Sequence, residues 1–268
     1  MIRGLYSAAS GMDVEQVRQD LIANNLANVS TTGFKKDEAV FRSFPVQMLQ
    51  RIHDRMDEAA AKGSAAGVGA SVPMGSLGQG ATLDGTVTAF TDGSVMRTDR
   101  PLDLALQGNA LFTVQRGDGS LAYTRAGNFS LDSEKNLVTQ NGEKVLGADN
   151  QPLVLDGAQV VVNPNGEVML DGRDAGRLQL TAYDPAQMQK LGDNLYTRTS
   201  SGDFEAVSDD QLPDVHIQQG FLEQSNVQVV QEMVRMIGVM RSYEANQKTI
   251  QMQDSSLNKL INDIGHAS

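Results

Sequence analysis

The sequence predicts a fold in which α and β are mixed but segregated. N- and C-terminal helices pair as a coiled-coil-like domain, and an all-β, antiparallel, hairpin-rich body is looped out between them. Three observations carry this expectation. From Val229 onward, positions recur at alternating steps of four and three: Val229, Met233, Met236, Met240, Tyr243, Gln247, Ile250, Asp254, Leu257, Ile261 and Ile264. Nine of these eleven are apolar or aromatic, which is the pattern of a narrow seam sustained over about five heptads. A second periodic segment opens the chain. Between the two, seven Asx-Gly dipeptides fall between residues 84 and 172, a density that signals tight hairpins because Gly, Asn and Asp tolerate positive φ.

Residues 2 to about 27 read as helix. Ile2, Leu5, Ala9 and Met12 keep a 3–4 spacing, and Val14, Val17, Leu21 and Asn28 continue it on a displaced stripe. Gly4, Ser7, Ala8 and Gly11 would let another helix approach closely, although each Gly costs about 1 kcal/mol of helix stability against Ala. The helix is expected to stop near Asn28, where Val29-Ser30-Thr31-Thr32-Gly33 is β-branched, hydroxylated and closed by Gly. With the segment that follows, it makes a first region, 1–44. Residues 45–83 begin at a helix-breaking Pro45 and run through Ala59-Ala60-Ala61 and six glycines with few large apolar groups. Such composition predicts a linker or extended arm. The β body is placed at 84–220, with short runs at Leu111–Val114, Gln159–Val162 and Arg177–Tyr183, each expected to be buried on one face. The C-terminal helix takes 221–268. Its predicted start is Ser225-Asn226-Val227-Gln228, which has the form of a capping box. Gln247 and Asp254 are polar seam positions of the kind that fix register at a cost in stability.

Composition narrows the function. The chain has no Cys and no Trp, which removes disulfides, thiolate metal sites and thiol nucleophiles. A net charge of −11 argues against nucleic acid, whose phosphates call for a basic surface. Residues 1–50 carry five acids and five bases and 221–268 carry five and four, leaving 23 acids and 13 bases in 51–220. Near-neutral ends with an acidic middle suit ends buried against other copies while the body faces water. Apolar runs fall short of the 18 or so residues of a membrane span, and Met1-Ile2-Arg3-Gly4 leads into no apolar segment or cleavage site of a secretory signal.

No residue pattern points to catalysis, cofactor binding or metal binding. His53, His216 and His266 stand apart from one another, with no ligand at helical spacing. There is no G-x-S-x-G, H-E-x-x-H or P-loop. Gly67-Val68-Gly69 and Gly78-Gln79-Gly80 lack the preceding strand and later acidic residue of a dinucleotide loop. Asp209-Asp210 sits in a polar stretch with nothing to desolvate it. Met233, Met236 and Met240 are better read as seam packing than as an adaptable groove.

Three stretches resemble the flagellar rod and hook family of bacterial axial proteins. They are Ile22-Ala23-Asn24-Asn25-Leu26-Ala27-Asn28 through Gly33-Phe34-Lys35-Lys36; Pro101–Gly108 continuing to Phe112, with Tyr123-Thr124-Arg125-Ala126-Gly127-Asn128-Phe129; and Phe221–Val227 with Glu232-Met233-Val234 and Arg241-Ser242-Tyr243-Glu244-Ala245-Asn246. Within that family the distal-rod type is the nearest resemblance and the proximal-rod type the second. The resemblance implies a structural subunit that polymerises through its terminal helices into a hollow, torque-transmitting shaft that passes export substrates. It further implies export without a cleaved signal and a final place in the basal body of the cell envelope. Implied partners are copies of itself, neighbouring rod and hook proteins, the flagellar export apparatus and envelope ring proteins, without direct membrane insertion. The expected assembly interface comprises Leu5, Met12, Val17, Leu21, Asn24, Asn25, Leu26, Asn28, Val229, Met233, Met236, Met240, Tyr243, Ile250, Leu257 and Ile261. The rival reading is a trimeric coiled-coil stalk or adhesin whose β body binds a ligand.

Overall fold

A computed structural model describes residues 2–43, 47–51, 72–77, 80–199 and 215–265. His53, His266, Asp209-Asp210, Gly67-Val68-Gly69 and most of the Ala/Gly-rich stretch lie outside the described residues. The terminal helices α1 (Ile2–Ala27) and α2 (Val229–Gly265) enclose, in sequence, a run of antiparallel strands. The fold divides into two compact units: Met1–Leu21 with Ala39–Thr86 and Val234–Ser268, and Ile22–Glu38 with Val87–Met233.

In the first unit, α1 packs against α2 through its smallest residues. A side chain on Gly4 would overlap the Gln253 amide, and one on Gly11 would come within 2.9 Å of the Asn246 amide nitrogen. The glycines therefore weaken α1 as an isolated helix but admit two polar side chains over its backbone. A different face of α1 is set against the β strands of the same unit. There Arg18 lies 4.6 Å over the Phe41 ring and also pairs with Glu15 at 3.3 Å. Strand Asp37–Ser43 pairs with Ala81–Thr88, and Gln47–Arg51 pairs antiparallel with Val72–Leu77. Within the stretch expected to be linker or arm, the described residues are thus paired strands. Two-stranded pairing rests on backbone hydrogen bonds, so a shortage of large apolar side chains does not prevent it. Asp84-Gly85 lies inside one of these strands and makes no turn.

The second unit holds the β body. Its largest sheet has eight strands, ordered Met188–Gly192, Leu195–Arg198, Leu121–Thr124, Ala110–Gln115, Lys144–Val145, Leu137–Val138 and Ser130–Leu131, with Leu180–Ala182 also pairing to the central Ala110–Gln115. The expectation of one buried face fails at that central strand, where Ala110 through Val114 are all buried. Phe112 and Val114 enter the main core with Leu104, Leu106, Phe129 and Leu178. Phe112 meets Phe129 edge-on at 5.1 Å. On the opposite side Leu111 joins Tyr123, Tyr183 and Tyr196, capped by Phe90 at 4.6 Å from Tyr183 and 5.2 Å from Tyr196. The run is apolar but for Thr113, whose hydroxyl is paired with that of Thr181 at 2.9 Å, a composition consistent with a strand covered on both sides.

Of the Asx-Gly pairs, Gly119, Gly142, Gly166 and Gly172 adopt positive φ. Asp171 (φ 49°) and Gly172 (φ 79°) form the two-residue turn joining Glu167–Leu170 to Arg173–Arg177. Asp193 (51°) and Asn194 (61°) do the same between Met188–Gly192 and Leu195–Arg198, without a glycine at either position. Gly93 is different: its lack of a side chain is needed because the Gln224 carbonyl oxygen occupies the space.

Candidate assembly helices and a buried charged junction

α2 buries a stripe other than the one its sequence suggests. Glu232 and Val239 are buried, and Met236, Asn246, Ile250, Gln253 and Leu257 are half-buried. These positions advance by fours and threes, as the predicted seam does, apart from one step of seven from Val239 to Asn246 that passes over exposed Tyr243. They share Met236, Ile250 and Leu257 with it and replace Met233, Met240, Gln247 and Asp254 by the residue immediately preceding each. The polar residues against α1 are therefore Asn246 and Gln253, opposite Gly11 and Gly4, while Gln247 and Asp254 are exposed. The physical reason is the partner. A glycine-lined helix accepts a planar amide in close contact, so the seam is selected by fit as well as by apolarity. Left exposed are Met233, Met240, Tyr243 and Ile261 among the expected interface residues, and Val230, Val234 and Ile237 beside them. Val229 is half-buried.

On α1 the buried apolar residues are Ala8, Val14 and Ile22; Val14 is on the displaced stripe expected from spacing, whereas Leu5, Ala9 and Met12 of the first stripe are not buried. Leu5 and Asn24 are exposed, and Met12, Val17, Leu21, Leu26 and Asn28 are half-buried. Asn25 departs most from expectation. It is 2 % exposed, its amide nitrogen donates to the Asp37 carbonyl at 2.9 Å, and its amide oxygen accepts from the Asp37 N–H at 3.0 Å. Because both ends of the amide are bonded inside its own subunit, Asn25 bolts the last turn of α1 to the following strand and is removed from the neighbour-facing set. The helix ends at Ala27, as the sequence indicates.

The start of α2 is also shifted. The Ser225 hydroxyl accepts from Val227 N–H at 3.2 Å, and the first helical bond runs from Glu232 N–H to the Gln228 carbonyl at 3.0 Å. Helix thus begins at Val229, three residues later than a cap at Ser225 implies. Asn226 is pulled into the body instead. Its oxygen accepts from Lys36 N–H at 2.8 Å, and its amide nitrogen donates to the carbonyls of Ala89 and Thr91 at 2.8 and 3.1 Å.

Beneath this tie lies a buried ion cluster that sequence reasoning missed. Lys35 donates to Glu223 Oε1 at 2.5 Å and to the Thr91 carbonyl at 2.8 Å. Arg125 Nε donates to Glu223 Oε2 at 2.6 Å. The remaining guanidinium donors reach the carbonyls of Leu106 and Gly108 at 2.9 and 2.8 Å, the Ala110 carbonyl, and Asp92 at 3.3 Å. All five donor positions of the guanidinium are thus used. Gly93 N–H adds a bond to Glu223 Oε1 at 2.9 Å. Close by, Gly33 (φ +66°) donates to the Glu223 carbonyl at 2.8 Å, and a side chain there would meet the Arg125 carbonyl carbon at 2.6 Å. Lys190 clasps the same loop, donating to the Lys35 carbonyl at 2.6 Å and to Asp37 at 2.8 Å, over the Phe34 ring at 4.2 Å. Lys35, Arg125 and Glu223 come one from each of the three motif stretches. The available signal was opposite charges held inside otherwise small and apolar motifs.

Burial would raise the Glu223 carboxyl, but Arg125, the Gly93 N–H and Lys35 outweigh it and hold the group below its ordinary 4.5. A depressed folded value contributes stability that is present above the unfolded value and lost as pH falls through the folded one. The urea midpoint of the body should therefore hold through neutrality and fall below about pH 4. Asp118 and Asp132 are depressed as well, so the contribution of Glu223 is isolated by comparison with Glu223→Gln, whose acid limb should be shallower. Superimposable limbs would refute it.

Against known sequences, residues 5–35 match the family described as flagella basal body rod protein. Residues 105–170 match the flagellar hook protein FlgE/F/G D1 domain, and 218–263 the flagellar basal body rod FlgEFG protein C-terminal region. The chain is 35 % identical to the flagellar hook-basal body complex protein FlhO of Bacillus subtilis, covering 99 % of each. It is 33 % identical to the flagellar basal-body rod protein FlgG of Borreliella burgdorferi, covering 96 % of this chain and 97 % of that one. The chain belongs to the flagellar basal-body rod family. As a member it is a structural rod subunit and not an enzyme, consistent with relatives that include the FlgG of Bacillus subtilis at 34 % identity. The three matched regions contain Lys35, Arg125 and Glu223 respectively, so each contributes one charge to the junction of this rod protein. Among the described residues no helix is long and apolar enough to cross a membrane.

Proposed function

We propose that this chain is the distal-rod subunit of the flagellar basal body, polymerising through its terminal helices into a hollow helical shaft that transmits torque and passes export substrates. The observation that carries the reading is the second apolar side of α2. Val234, Ile237 and Met240 remain exposed after the helix has packed on α1, and an apolar patch of this kind marks a contact with another molecule. Within a subunit, α1 and α2 act as a coiled-coil-like pair. Leu5, Met233, Met240, Tyr243 and Ile261, being exposed, contact neighbours, while Met236, Ile250 and Leu257 mainly hold the pair. The buried junction serves mechanics: charges with satisfied partners inside the body resist shear where α1 ends and α2 begins. Neighbouring rod and hook proteins, the export apparatus and envelope ring proteins are the further partners this reading implies, with export by way of an uncleaved N-terminal region.

Removing residues 254–268 tests the reading. The truncated chain should remain soluble with a folded β body, yet be missing from purified basal bodies that contain the full chain. Normal incorporation would contradict it. A closed trimer of the full chain in solution, with no rod, would favour the stalk reading.

A further inference from the structure

We propose that, in the polymer of the preceding reading on which this inference rests, the outer ridge of α2 in one subunit seats in a groove beside α1 of the next, with Arg241 set against Asp13. The ridge is Val234, Ile237 and Met240, which are 64, 51 and 46 % exposed, followed by exposed Arg241. The groove is a cleft of about 500 Å³ between α1, through Tyr6, Ser10, Asp13 and Val17, and Ala81 and Leu83 of the adjoining strand. Tyr6 at 67 % and Leu83 at 39 % exposure leave its walls open to an apolar guest.

Helical arithmetic places these surfaces on opposite sides of the pair. At about 100° per residue, Tyr6, Ser10, Asp13 and Val17 lie roughly 150° around α1 from Gly4, Ala8 and Gly11, the face toward α2. Val234, Ile237 and Arg241 lie about as far around α2 from Asn246 and Gln253, the face toward α1. One subunit therefore cannot seat its own ridge in its own groove; a second copy can. Because ridge and groove are different patches, each contact leaves one of each free, the head-to-tail arrangement that grows into an open filament where its rotation does not close on itself.

Charge complementarity supports this pairing. Asp13 and Arg241 are exposed, and neither has an ion-pair partner among the described residues. Ridge in groove brings Arg241 against Asp13, and such unlike charges steer the encounter and fix its register.

The chain has no cysteine, so a cross-link is unambiguous. Full-length protein carrying both Ser10→Cys and Ile237→Cys is oxidised in purified basal bodies. The expected result is a ladder of dimers, trimers and longer products, with neither single variant giving more than a dimer. Monomer alone from basal bodies that contain the variant, or cross-links only to a protein of different mass, would overturn the proposal while leaving polymerisation itself intact. Absence of the unsubstituted chain from basal bodies would overturn both. In parallel, Asp13→Arg and Arg241→Asp should each prevent incorporation without altering the far-UV circular dichroism or urea midpoint of the monomer, and together should restore it. Normal incorporation of both singles, or no restoration in the double variant, would overturn the pairing.

Discussion

Glu223→Ala should destabilise the β body by about 3–5 kcal/mol, the usual consequence of removing one partner from a buried ion pair. The loss arises because Lys35 and Arg125, each with a side chain about 1 % exposed, would face one another without the carboxylate that is itself 2 % exposed. Asp92 cannot take over. It is 67 % exposed and stands 4.0 Å from the Lys35 ammonium, where water screens it. Against a total stability of about 5–15 kcal/mol for a domain, the change is large enough to read from urea unfolding. Tyrosine near-ultraviolet circular dichroism can report it, since the chain lacks Trp. Replacing all three charges by apolar residues of similar volume should recover much of the loss, because the desolvation cost disappears with the charges. A loss below about 1 kcal/mol in Glu223→Ala would place the cluster among weak surface pairs and remove it from the account.

The second large effect is expected at Val239, which is 8 % exposed on the side of α2 that packs within its own subunit. Val239→Asp would require a carboxylate to be buried or the helix to lift, costing on the order of 2–4 kcal/mol. The helix pair should then melt at lower urea than the β body, seen as an early loss of far-UV helical signal. Sequence spacing alone makes the opposite assignment, since it places Met240 on the seam and leaves Val239 off it. An unperturbed helix in Val239→Asp would restore the spacing-based seam and contradict the packed face described above.

The terminal helices were legible because their signals are local. Periodicity survives whatever the partner is, and Val29 to Gly33 cannot easily extend a helix. Which face of α2 turns inward was not legible, because that is settled by the glycines of α1 more than 200 residues away. Gly4 and Gly11 turn Asn246 and Gln253 into suitable inner residues, and no hydrophobicity pattern marks them as such. Asp171-Gly172 was readable as a turn from its residue types, whereas Asp84-Gly85 was absorbed into a strand by tertiary pairing. Asp193-Asn194 makes its turn without the glycine that advertises one. The junction was hidden for a related reason. Lys35, Arg125 and Glu223 each look like ordinary surface charges until the fold brings the first two within 2.6 Å of the Glu223 carboxylate. Asn25 misled in the other direction, since a polar residue in an assembly motif is easily assigned to a neighbour when it is an internal bolt.

If the exposed side of α2 belongs to the rod and not to the subunit, Met240→Asp should separate assembly from folding. Met240 is 46 % exposed, so the soluble monomer should keep its unfolding free energy within about 0.5 kcal/mol of the unsubstituted chain. The measurement is the amount of the variant in purified basal bodies, with monomer stability determined alongside. The expected result is an undisturbed monomer that is missing from basal bodies. Incorporation at the level of the unsubstituted chain would contradict it.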